Sequence, residues 1–88
     1  MNIQDSMPNI ADILIVDDIQ DNLLLLKTML ELNGYHVYAT QNPKETSKIM
    51  KKNKIDLVIL DVNMPELNGI ELCKRIKKNP KTSHIPVM

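Results

Sequence analysis

The sequence predicts an α/β domain, a doubly wound parallel sheet with helices on both faces. Three observations lead there. Two short runs, 10–16 and 57–60, are dominated by Ile, Leu and Val, and such runs suit strands buried on both faces. Each run stops at a carboxylate, the pair Asp17 and Asp18 after the first and Asp61 after the second. Segments with helical apolar spacing lie between the runs, so strand and helix alternate as crossover-connected parallel strands require.

Eighty-eight residues make at most one small domain. Eleven basic side chains balance eleven acidic ones, which gives no reason to expect a nucleic-acid partner or a membrane surface. The single cysteine, Cys73, cannot form an internal disulfide and fits a reducing, cytoplasmic setting. Residues 1–10 are polar, without the apolar core of a secretion signal, and read as a disordered lead-in. No apolar run is long enough to cross a bilayer.

The elements follow in order. The first strand covers 10–16, and a helix begins at Ile19 with Asp21 near its positive N-terminal end. Leu23, Leu26, Met29 and Leu30 are spaced for one helix face, which Leu24, Leu25 and Leu32 widen. Asn33 and Gly34 offer the left-handed residue that closes a helix. A second strand, 35–39, alternates as an edge strand does. Asn42, Pro43 and Glu45 form a helix start, with Asn as cap, Pro at the first position and Glu at the third. The helix runs to about 53, exposing Lys44, Lys48, Lys51 and Lys52 and turning Ile49 and Met50 inward. The central strand, 57–60, ends at Asp61. Asn68, Gly69 and Glu71 then open a third helix through Lys78, with Ile70, Leu72, Cys73 and Ile76 on its apolar side. Asn79 and Pro80 stop it. Residues 85–88 start like a fourth strand.

The edge-like second strand places itself outside the first, with the third on the other side. The resulting order, 2-1-3-4, is that of an incomplete flavodoxin-like sheet, whose switch point lies between strands one and three. Asp17, Asp18 and Asp61 are therefore expected at one crevice. Three clustered carboxylates repel one another, and a divalent cation resolves the conflict. Few carboxylates plus water and a phosphoryl group suit Mg²⁺, with Mn²⁺ as a substitute. A cation so placed leaves one carboxylate free to attack phosphorus.

Asp17 and Asp18, then Asp61 followed by Val62, Asn63, Met64, Pro65 and Gly69, resemble the receiver domain of two-component response regulators. The likeness spans 11–88. It implies that Asp61 accepts a phosphoryl group from a sensor histidine kinase or phosphotransfer protein, switching a downstream output. It implies further that Asp18 ligates Mg²⁺ directly, Asp17 largely through water, and Asn63 through its backbone carbonyl. Met64 and Pro65 would shape the loop and Gly69 its close turn into the next helix. The domain itself is then not an enzyme. Asp17 to Asn22, Cys73 and the segment 79–86 resemble receivers fused to diguanylate cyclases or hybrid kinases.

A complete receiver also has a Ser or Thr at the end of strand four and a Lys at the end of strand five. Met88 falls inside strand four, so the sequence reads as a truncated receiver with both positions absent. Thr82 and Ser83 precede the strand and do not replace the hydroxyl. An open fourth strand is expected to invite self-association. Asp12, Asp21 and Asp56 are read as solvated acids, His36 and His84 as surface or packing residues, Cys73 as a small apolar residue. Lys51, Lys52 and Lys54 read as a solvated face. A haloacid-dehalogenase-like phosphohydrolase would want an acid two residues after its nucleophile, where Asn63 stands. A phosphorylation-independent interaction module is the other alternative.

Overall fold

In the computed structural model, residues 10–61 and 69–88 are described. The first strand, β1 (Asp12–Val16), is the centre of a three-stranded parallel sheet of order β2-β1-β3. Its four apolar residues, Ile13 to Val16, are all buried. Transfer of each such side chain from water is worth about 1.5–3 kcal/mol, which is why this unbroken run takes the centre. Ile10 is 69% exposed and lies outside the strand. The expected start at 10 is thus two residues early. Asp12, expected to be solvated, opens β1 and pairs through Oδ1 with His36 Nδ1 at 3.1 Å. Asp56 is engaged too, its Oδ2 accepting the Asp12 N–H at 2.8 Å.

Helix α1 (Gln20–Leu32) follows. Leu23 is buried, and Leu26 and Leu30 pack with it against Ile13, Ile15 and Val37. The broader face expected for this helix is not observed. Leu24, Leu25, Met29 and Leu32 are 53–77% exposed. Only the residues at i, i+3 and i+7 reach the sheet, because one flat face of β1 and β2 can take only one stripe of a single helix. Gly34 closes the helix at φ 92°, a conformation that costs other residues about 1–2 kcal/mol.

Strand β2 (His36–Thr40) forms the edge, paired with β1 from Asp12 opposite His36 to Val16 opposite Thr40. It is shifted one residue later than expected. A 3₁₀ turn over Pro43–Glu45 precedes helix α2 (Thr46–Lys52). Asn42 is the cap, its side chain accepting the Lys44 N–H at 3.0 Å. Glu45 does not reach back to that cap directly. Thr40 Oγ1 stands between them, accepting the Asn42 N–H at 3.0 Å and donating to Glu45 Oε2 at 2.9 Å.

Strand β3 (Leu57–Leu60) pairs with β1 on its other side, and helix α3 spans Gly69–Lys78. Leu72 and Ile76 are buried against Leu14, Val16 and Val58, with Ile49 and Met50 of α2 packed alongside. Ile70, expected on the apolar side, is 58% exposed. The alternating faces of β1 thus meet α1 on one side and α2 with α3 on the other. The fourth strand appears as a beginning. Val87 bridges Val58 in parallel, and Val58 N–H donates to the Pro86 carbonyl at 3.0 Å, on the side of β3 away from β1. Thr82 is structural, its hydroxyl donating to the Ile76 carbonyl at 2.7 Å.

The expected lead-in over 1–9 lies outside the described residues, as do Asn63, Met64, Pro65 and the Asn68 cap.

Candidate functional site

Parallel strands in register bring their C-terminal ends to one edge, and that edge is acidic. Val16 of β1 lies opposite Leu60 of β3 and Thr40 of β2, so the residues that follow emerge side by side. Asp61 N–H donates to the Val16 carbonyl at 2.9 Å and Asp17 N–H to the Thr40 carbonyl at 3.2 Å. These bonds carry the sheet ladder one residue past the named strands and fix the backbone of both acids. One carboxylate oxygen from each of Asp17, Asp18 and Asp61 lies within 4.8 Å of the others. Residues 44 positions apart in sequence, Asp17 and Asp61, thus meet as expected.

Asp17 is held on both oxygens. Oδ1 accepts the Ile19 N–H at 2.9 Å, and Oδ2 accepts from the Asn22 amide at 3.4 Å. Gln41, just beyond β2, donates its side-chain amide to the Asp18 carbonyl at 3.2 Å. Those bonds orient two of the acids from α1 and from the β2 end. Neither Gln41 nor Thr40 is singled out by sequence reading. Their signal would be the polar residues right after an edge strand, which any turn also shows. Asp17 and Asp61 are half-buried. Among the described residues, the Asp18 carboxylate has no hydrogen-bond or ion-pair partner.

Two full negative charges 4.8 Å apart repel by about 0.9 kcal/mol in water and about 3.5 kcal/mol at an effective dielectric of about 20. The three-acid arrangement is therefore costly unless a cation shares it. The donor set, all hard carboxylate oxygen with no sulfur or imidazole, fits Mg²⁺ or Mn²⁺ and not a softer metal. Among the described residues, Asp18 is the acid whose carboxylate is left open to an incoming cation. Asp17 already gives an oxygen to Ile19 and to Asn22, which suits contact through water. The expected carbonyl ligand, Asn63, lies outside the described residues.

A family model described as the response regulator receiver domain matches residues 13–88. The chain is 43% identical over 76 residues to a probable cyclic di-GMP phosphodiesterase of Vibrio cholerae, covering 86% of this chain and 17% of that protein. It is 37% identical over 78 residues to PilH of Pseudomonas aeruginosa, covering 89% of this chain and 64% of that one. The chain therefore spans less than two thirds of the length of these relatives. Among solved structures, the N-terminal domain of a response regulator receiver protein from Methanoculleus marisnigri superposes with TM-score 0.86 at 35% identity, over 90% of this chain and 64% of that one. TrrA of Thermotoga maritima, solved in complex with Mg²⁺ and BeF, superposes with TM-score 0.75 at 38% identity, over 82% of this chain and 63% of its own.

Proposed function

Since the chain belongs to the response regulator receiver domain family, we propose that Asp61 is its phosphoacceptor and that Asp17, Asp18 and Asp61 hold Mg²⁺. The observation that carries this is the convergence of the three carboxylates at the C-terminal ends of β1 and β3. The backbone carbonyl of Asn63 is proposed as a further ligand. Mn²⁺ serves in place of Mg²⁺ because the ligands are all oxygen.

The donor is a phosphohistidine on a sensor histidine kinase or phosphotransfer protein. A carboxylate oxygen of Asp61 attacks phosphorus, the O–P bond forms as the P–N bond breaks, and the imidazole nitrogen keeps the released electron pair. The backbone bond from Asp61 N–H to the Val16 carbonyl sets where that carboxylate stands. Asn22 and the Ile19 N–H hold Asp17 aside from the attack. When bound, the divalent cation supplies positive charge to the transferred phosphoryl oxygens. Phosphorylation would switch a downstream output. No helix among the described residues is long and apolar enough to cross a membrane, and a cytoplasmic setting is part of the proposal.

Incubation with radiolabelled acetyl phosphate tests the reading. Labelling should require Mg²⁺ or Mn²⁺ and should vanish in Asp61→Asn, which keeps the shape and removes the nucleophile. Labelling that is indifferent to the metal, or that persists in Asp61→Asn, overturns it.

A further inference from the structure

Lys51 lies in the last turn of α2 and Lys54 two residues beyond its end, and Arg75 and Lys81 lie in and after α3. The fold brings all four around one cleft of about 670 Å³. That volume is within the roughly 300–1,000 Å³ of clefts that hold ligands. The cleft lies at the N-terminal end of β3, beside Ile55 and Asp56, so the sheet separates it from the acidic site at the other end. Met50, Ile55, Ile76 and Ile85 line its interior. His84 adds a fifth basic side chain to the rim.

Cations near helix C-termini ordinarily offset the exposed carbonyls there. Here neutral groups have largely taken that role. The Ile49 carbonyl accepts both the N–H and the side-chain amide of Asn53, each at 3.0 Å. The Ile76 carbonyl accepts the Thr82 hydroxyl. Lys77 is the cation that serves the fold, donating to the carbonyls of Ser83 at 3.2 Å and Ile85 at 2.6 Å. Lys54 and Lys81 lie outside both helices. Among the described residues, the side chains of Lys51, Lys54, Arg75 and Lys81 have no ion-pair partner. Among the described residues, the one acid that lines the cleft, Asp56, accepts the Asp12 N–H.

We propose that this cleft docks an acidic segment of a partner polypeptide, with carboxylates on the four cations and an apolar side chain in the interior. Charge complementarity selects an anionic occupant, and the apolar interior selects one that also carries hydrocarbon. A bare phosphate would leave that interior wet. Nucleic acid would want a stacking platform, and neither of the two aromatic residues, Tyr35 and Tyr38, lines the cleft. The proposal goes beyond phosphoacceptance and does not depend on Asp61.

The test is fluorescence anisotropy of a fluorescein-labelled peptide, Glu-Glu-Leu-Glu-Glu-Leu-Glu-Glu, titrated with the 88-residue chain. Saturable binding is expected, weakening as salt is raised. The double variant Lys54→Glu, Arg75→Glu should bind roughly tenfold or more weakly. The control Lys48→Glu, Lys74→Glu changes net charge equally outside the cleft and should bind as wild type does. Lys81→Glu, in an exposed turn, carries the same expectation as the first pair should that pair fail to fold, which circular dichroism reports. Replacing both Leu by Ser, or every Glu by Gln, should each weaken the peptide. Absence of saturable binding, equal loss in the control, or indifference to the Leu replacement overturns the proposal. So does a short DNA duplex that binds as tightly with the same sensitivity to the cleft variants, which would assign the cleft to nucleic acid.

Discussion

Asp18→Asn in the absence of metal is expected to stabilise the chain, although it removes a proposed ligand. The substitution deletes one of three charges whose oxygens lie within 4.8 Å of one another, and so removes two pairwise repulsions. Each is worth about 0.9 kcal/mol at the dielectric of water and more where water is excluded. Because the Asp18 carboxylate has no protein partner among the described residues, no hydrogen bond to any of them is lost to set against this gain. A net gain of about 1–2 kcal/mol follows, or roughly 5–10 °C in Tm for a domain of this size. Thermal denaturation in a chelator at low ionic strength reads it directly. At 0.5 M salt the Debye length falls to about 4 Å, and the gain should shrink. Metal should reverse the order. At a hundredfold excess over Kd, wild type gains about 2.7 kcal/mol, and Asp18→Asn should gain far less. An Asp18→Asn chain no more stable than wild type in chelator and low salt would refute the electrostatic reasoning.

Three further outcomes are expected. Thr46→Val should be neutral or stabilising by up to about 1 kcal/mol, since Thr46 is fully buried with its hydroxyl unpartnered among the described residues; urea denaturation checks this, and a clear loss would mean the hydroxyl has a partner. Gly34→Ala should cost about 1–2 kcal/mol, because φ of 92° excludes a Cβ without strain, as the same titration would show. The pair Leu25→Glu and Leu32→Glu should change stability by less than about 0.5 kcal/mol, both residues being more than 60% exposed; urea denaturation checks it, and a loss of several kcal/mol would mean that this face of α1 is packed.

Strands β1 and β3 are legible in sequence because packing on both faces favours an unbroken apolar run; Ile13 to Val16 of β1 are all buried, and in β3 Val58 is buried between half-buried neighbours. Their terminal acids are legible for the same reason, since a charge can follow such a run only where the sheet ends. The facing of α1 is not. Seven apolar residues on one helix satisfy several stripes, and the choice of Leu23, Leu26 and Leu30 comes from the sheet beneath. Ile70 shows the same ambiguity in α3, where Leu72 and Ile76 take the interior. The helix start at Asn42 is half legible. Its cap bond to Lys44 follows from local spacing, but the Thr40 hydroxyl between Asn42 and Glu45 requires knowing how β2 turns. The basic cleft is invisible along the chain, because Lys51 and Lys81 look like separate solvated charges until α2 and the turn after α3 are set side by side.

Chemical trapping of the phosphorylated side chain bears most directly on Asp61 as phosphoacceptor. Borohydride reduction converts an aspartyl phosphate to homoserine, and peptide mass spectrometry locates it. After incubation with acetyl phosphate and Mg²⁺, homoserine should be found at position 61 and should depend on both reagents. Homoserine at position 17 or 18, or phosphate retained on a side chain that borohydride does not reduce, would contradict the assignment.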